Sequence, residues 1–235
     1  MAASAILLCA WGARAGTVVV ISDASGLSGE VEFTLVNATT LEVRARNTST
    51  GVPLGFDSAD QILTGVSWDF PPPGLTGTTA ITGGSVVIGP ASSSQNFSTG
   101  SYGAGYNVSG EWGYGNEDGT GALPNFISAN TAQATPFGGA NLDGPASIDG
   151  PQGGLVANPI LVALGGLGAI RNEIIATLTL SSPLADLSFL ENGVRLEFGS
   201  DAAFLDACLI PEPSAMTLAA IGGLLALFIR RQWQV

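Results

Sequence analysis

The chain has no histidine, no lysine and only two cysteines. Without histidine there is no Ser-His-Asp or Cys-His nucleophile system and no His-containing zinc site. Two cysteines, Cys9 and Cys208, are too few for a cysteine zinc site, and their spacing is not that of a CxxC redox pair. Positive charge is also scarce, with seven arginines against nineteen acidic residues. A chain this acidic is repelled by nucleic acid and by anionic lipid. The glycine pairs Gly138-Gly139 and Gly153-Gly154 lack the Lys-Ser/Thr of a phosphate loop. No cofactor is expected.

Carboxylates are the catalytic groups that remain. A two-carboxylate glycoside hydrolase needs only Asp or Glu. Glu111, Glu117 and Asp118 are the candidates, because Trp112 and Tyr114 beside them could stack on sugar. The preferred reading of the same residues is solvated loop carboxylates and core or surface aromatics. Asn141, Asp143 and Asp149 offer oxygen ligands in a glycine-containing loop, but without EF-hand spacing, and ordinary Asx turns account for them as well. No metal site is assigned. Asn-x-Ser/Thr sequons stand at Asn37, Asn47, Asn96 and Asn107.

The body is rich in Gly, Ser, Thr and Asn, with short apolar segments. Over Glu30–Val36, Val31, Phe33 and Leu35 alternate with Glu32 and Thr34, and Leu41, Val43 and Ala45 alternate with Glu42, Arg44 and Arg46. Period-two alternation marks half-buried strands, and Asn37-Ala38-Thr39 between them reads as a hairpin turn. Ile62, Thr64, Val66, Trp68 and Phe70 would share one face of the next strand, which Pro71-Pro72-Pro73-Gly74 ends. Thr17–Ile21, Ser85–Ile88, Glu173–Leu180 and Val194–Phe198 are further strands. The expected fold is all-β, an antiparallel sandwich-like single domain, with long Gly/Asn-rich loops between about Tyr102 and Pro159.

The two ends read differently. Ala2–Gly12 is small or apolar, and Ala13-Arg14-Ala15 fits an A-x-A cleavage site, although no basic residue precedes the stretch. At the other end, Pro211-Glu212-Pro213 is followed by the uncharged run Ala215–Ile229, then Arg230-Arg231 and a short tail. As a helix the run reaches ~22 Å against a hydrocarbon core of ~30 Å, a marginal span. The arginine pair is where a cytoplasmic end belongs, and the prolines hold Glu212 in open, extended backbone.

This tail resembles the PEP-CTERM sorting signal of exported proteins of Gram-negative bacteria. Within the body, Val43–Thr50, Ala59–Phe70 and Ala140–Gly150 resemble segments of one group of such proteins, described as exosortase-dependent surface proteins without established activity. The resemblance implies three parts: a signal peptide over 1–15, an exported β-rich domain over 16–209, and a sorting signal with a C-terminal transmembrane helix over 210–235. It implies an exosortase as partner, a transient stay in the inner membrane, and delivery to the cell surface or extracellular matrix, in association with exopolysaccharide and biofilm. Pro211, Glu212 and Pro213 would be recognition elements, and Arg230 and Arg231 the topology lock. The alternative is a glycan-binding module contacting sugar through Trp112 and Tyr114, with a carboxylate hydrolase behind it.

Overall fold

The computed structural model describes residues 4–10, 16–52, 59–71, 79–116, 123–131, 133–142, 148, 150–161, 163–200 and 203–207. Among the described residues, fifteen strands follow one another. The first six are β1 (Ser4–Ala10), β2 (Gly16–Ser22), β3 (Ser28–Asn37), β4 (Thr40–Asn47), β5 (Leu63–Trp68) and β6 (Ile81–Ile88). Six short ones come next: β7 (Ser93–Gln95), β8 (Gly113–Gly115), β9 (Asn125–Ser128), β10 (Thr135–Pro136), β11 (Leu155–Val156) and β12 (Ala169–Arg171). The last three are β13 (Glu173–Leu180), β14 (Val194–Phe198) and β15 (Ala203–Ala207).

Two sheets form. The first has the order β1-β2-β3-β4-β13-β6, and every pairing in it is antiparallel. The second runs β10-β8-β9-β5-β11-β12-β7, with β14 added to β5 and β15 added to β14. One pair departs from the antiparallel expectation, since β11 and β12 run parallel. The protein is therefore all-β and sandwich-like, with alternate residues of each strand turned toward a shared interior.

The β3–β4 hairpin shows how local sequence sets the register. Asn37 Oδ1 accepts the Thr39 amide at 3.0 Å, an Asx turn that reverses the chain. The alternation then puts Val31, Phe33, Leu41, Val43 and Ala45 in the core and Glu30, Glu32, Arg44 and Arg46 on the other face. Phe33 meets Trp68 of the second sheet edge to face, 5.4 Å between centroids at 81°. Phe70 and Phe189 extend this aromatic seam. Such pairs add about 0.5–1.5 kcal/mol each beyond the area they bury.

The single face expected over Ile62–Phe70 is broken by a bulge. Gly65 pairs with Glu197, but Leu63 pairs with Phe198, so Thr64 is the unpaired extra residue. Its hydroxyl donates to the carbonyls of Glu197 and Gly199 at 3.2 and 2.8 Å. The extra residue reverses the alternation: Leu63 joins Val66 and Trp68 in the main core, while Ile62 packs in a second cluster with Val156, Leu164 and Ala169.

Asn47 rivets the two sheets together. At 2% exposure, its Nδ2 donates to the carbonyls of Gln61 and Leu155, at 2.9 and 2.8 Å. At the chain's start, the backbone of β1, read from sequence as part of the leader, lies antiparallel along β2 from Ser4↔Ser22 to Ala10↔Gly16. β2 is bonded to β3 along its other edge, so it keeps a partner without β1. Among the described residues no helix is long and apolar enough to cross a membrane. The expected transmembrane run Ala215–Ile229 lies outside the described residues.

Candidate functional site

The residues singled out in the sequence do not come together. Trp112 is fully buried, and its indole N–H donates to the Gly153 carbonyl at 3.1 Å. It has no exposed face for a sugar to stack on, which corrects the expectation for this residue. Tyr114 is half-buried in β8, with its ring 5.0 Å from that of Phe137. Gly113 and Gly115 face the opposite side of β8, where a Cβ would strike Ile148 and Ala134 or the Phe126 ring.

Glu111 is 3% exposed and its Oε1 accepts the backbone amide of Leu142. Gly153, at φ +73°, makes room for it: a Cβ there would lie 2.5 Å from Glu111 Cβ. This carboxylate thus fastens the segment around Leu142 to the turn Ser109–Glu111. Asn141 joins the same contact, donating from Nδ2 to the Gly110 carbonyl at 3.3 Å. Among the described residues, no three His, Cys, Asp or Glu side chains are grouped to hold a metal ion. Glu117, Asp118, Asp143 and Asp149 lie outside the described residues, as do Ala13, Ala15, Cys208, Pro211, Glu212, Pro213, Arg230 and Arg231. Of the sequons, Asn37, Asn96 and Asn107 are exposed and Asn47 is buried.

Two charged arrangements are built by the sheets instead. On the outward face of the first sheet, Glu30, Arg46 and Glu173 stand in one cross-strand row. Arg44 binds both oxygens of Glu173, Nε to Oε2 at 2.9 Å and Nη2 to Oε1 at 2.8 Å. Arg46 adds two bonds to Oε2, at 3.1 and 2.7 Å, and reaches Glu30 at 2.9 Å. Glu173 is completely buried, with Gly89 so close that a Cβ there would lie 2.3 Å from its Cγ. Burial by itself would raise the Glu173 carboxyl; the hydrogen bonds and charges of the two arginines outweigh it and hold the group below the ordinary range. The Glu173 bonds likewise push Arg44 upward. With all its oxygens occupied, this is a structural clamp.

The second arrangement is a recess on the outer side of the second sheet, where β14, β5 and β9 lie side by side. Gly65, Ser67, Phe126, Ser128, Thr131, Arg195, Glu197 and Phe204 are among the residues lining this shallow recess, which has room for about one water molecule. Gly65 sits between Glu197 and Ser128 in register, so the floor lacks a side chain there. Asn130 Nδ2 donates to Glu197 Oε1 at 2.6 Å, and the Ser200 hydroxyl donates to Asn130 Oδ1 at 3.0 Å. Arg195 is held by Asp206 on β15, Nε to Oδ1 at 2.6 Å, and its guanidinium carbon stands 5.5 Å from the Phe204 ring centroid.

Sequence reading found the strand Val194–Phe198 and missed the recess. Alternation along that strand puts Arg195 and Glu197 outward together, and this was the one available signal. Asn130 and Phe204 arrive through pairings that no local pattern encodes. Comparison with protein-family models, with curated proteins and with solved structures returns no match.

Proposed function

We propose that this protein is a non-enzymatic exported surface or extracellular-matrix protein, handled as a substrate by an exosortase. One observation carries the reading: the order Pro211-Glu212-Pro213, uncharged run Ala215–Ile229, Arg230-Arg231. A proline-flanked carboxylate keeps the backbone open to a processing enzyme. The apolar run is long enough to lodge in the inner membrane and short enough to leave it. The arginine pair fixes which end stays cytoplasmic. The segment 16–209 then goes to the surface or matrix, where exopolysaccharide is the expected neighbour.

The acidic body suits that destination. Between Gly16 and Ile210, four arginines stand against eighteen carboxylates, a net charge of −14. Such charge keeps an apolar β protein soluble. A hydrolase built on Glu111 is disfavoured by the amide its carboxylate already holds.

The test is the intact mass of the protein from the surface fraction of its native host, beside a Glu212→Ala variant. Loss of both ends from the native protein, with the variant retained in the membrane, supports the reading. A native chain still ending at Val235 makes it a tail-anchored membrane protein and overturns the exosortase step.

A further inference from the structure

We infer that Tyr102 and Tyr106 form an oxidative cross-linking site, at which a haem peroxidase using hydrogen peroxide joins the two phenol rings into a dityrosine staple. The inference is independent of how the chain is sorted. The pair lies between β7 and the turn Ser109–Glu111. The ring centroids are 4.0 Å apart and the planes 25° from parallel, so carbons of one ring touch carbons of the other. Tyr102 is half-buried and packs against the main core. Tyr106 is 40% exposed, the one large exposed hydrophobic side chain among the described residues. The backbone holds both rings in place. The Tyr102 carbonyl accepts the Ser94 amide and its amide donates to Ser94 Oγ, each at 2.7 Å. Ile88, at the end of β6, donates its amide to the Tyr106 carbonyl at 2.9 Å and accepts the Gly105 amide at 2.8 Å. The hydroxyls share one end of the pair: desolvation first, and then the charge and hydrogen bond of the Tyr102 phenol, raise the Tyr106 phenol above its ordinary range.

The chemistry needs this arrangement. Each phenol gives up one electron and its hydroxyl proton, leaving two phenoxyl radicals. Unpaired spin resides partly on the ring carbons beside the C–O bond. A C–C bond forms between one such carbon on each ring, and the hydrogens these carbons carried leave as protons while both oxygens are reprotonated. Two C–H bonds thus become one C–C bond, and one peroxide takes up the two electrons and two protons as two waters. An exposed tyrosyl radical would otherwise couple to another molecule. Here the partner already stands in contact, at an effective molarity beyond any protein concentration, and the acidic surface keeps second copies apart. Tyr114, the third tyrosine, has the Phe137 ring beside it and not a phenol. The staple closes the exposed tip Gly103-Ala104-Gly105, a small-residue tip of the kind that proteases nick.

The test is oxidation of the full chain by a haem peroxidase with one equivalent of hydrogen peroxide. The readouts are intact mass, dityrosine fluorescence and peptide mapping. The expected product is a monomer that has lost two hydrogens, with the cross-link mapped to Tyr102 and Tyr106. Tyr102→Phe and Tyr106→Phe each remove one phenol while keeping the stacked ring, and each is expected to abolish the intramolecular product. Tyr114→Phe is expected to leave it unchanged. Melting curves check that the variants fold. Covalent dimers as the main product overturn the inference. So does a cross-link that uses Tyr114, an intramolecular product that survives in Tyr106→Phe, or oxidant consumed with no dityrosine formed.

Discussion

Glu173→Gln should destabilise this protein far more than an ordinary outward-facing substitution on a sheet. Four guanidinium N–H groups converge on one fully buried carboxylate. Glutamine keeps the volume but replaces an acceptor oxygen by an NH₂ group that faces the same donors. Removing one partner from a buried ion pair costs about 3–5 kcal/mol. Here both arginine side chains are 30% exposed and keep Glu30 and Glu32 nearby, so part of their charge rehydrates. About 2–4 kcal/mol is expected, the discount reflecting solvent access. In a domain of this size that is a fall in Tm of roughly 5–15 °C. The measurement is urea unfolding of both proteins between pH 7 and pH 3. Glu173 is held below its unfolded pKa, so its contribution is complete above the ordinary glutamate range of ~4.3 and fades as pH falls through the folded value. The wild-type advantage must therefore shrink below about pH 4. A difference under about 0.5 kcal/mol at pH 7 would place the cluster with ordinary surface ion pairs. A difference unchanged down to pH 3 would mean that the effect is packing and not charge.

Two further substitutions probe the rivets that position the loops. Asn47→Ala strands the carbonyls of Gln61 and Leu155 between the sheets, and denaturant unfolding should show a loss of about 1–3 kcal/mol. Because Asn47 is buried, peptide mapping of the host-derived protein should find that sequon unmodified even if Asn37, Asn96 or Asn107 carries glycan. Gly153→Ala combines an unfavourable positive φ with a clash against Glu111. It should cost more than about 1 kcal/mol and speed hydrogen exchange at the Leu142 amide, whose acceptor is displaced.

The strands with strict alternation were legible from sequence because one face is dry and the other wet. β13 and β14 span the expected residues, and the Asn37-Ala38-Thr39 turn closes the hairpin as read. The bulge at Thr64 was not legible, since it is fixed by the pairing of Gly65 and Leu63 with residues more than a hundred positions away. The same holds for β7 to β12, which are two to four residues long and owe their existence to partners. Trp112 illustrates the ambiguity at the candidate site. Flanked by Glu and Gly, it looks like a loop aromatic, and only the Gly153 carbonyl and the surrounding core make it an interior residue. Glu197 is the converse case, an outward position in its strand that is nonetheless buried, bonded to Asn130 and lying over Gly65.

The distribution of arginine makes a last prediction about partners. All four arginines between Gly16 and Ile210 serve as internal ties: Arg44 and Arg46 to Glu173, Arg195 to Asp206, and Arg171 to the Gln95 side chain at 2.8 Å. Three of the four are paired with carboxylates, and with no lysine in the chain and eighteen carboxylates in this stretch the outward field is negative. If the protein associates with exopolysaccharide, a neutral polymer should retain it, and an anionic polymer should repel it at low salt. Repulsion should weaken as ionic strength rises past about 0.1 M, where the Debye length falls to ~10 Å. Co-sedimentation with dextran-type and alginate-type gels across a salt series separates the cases. Retention by the anionic gel that is strongest at low salt, without added divalent cation, would refute this reading of the charge distribution.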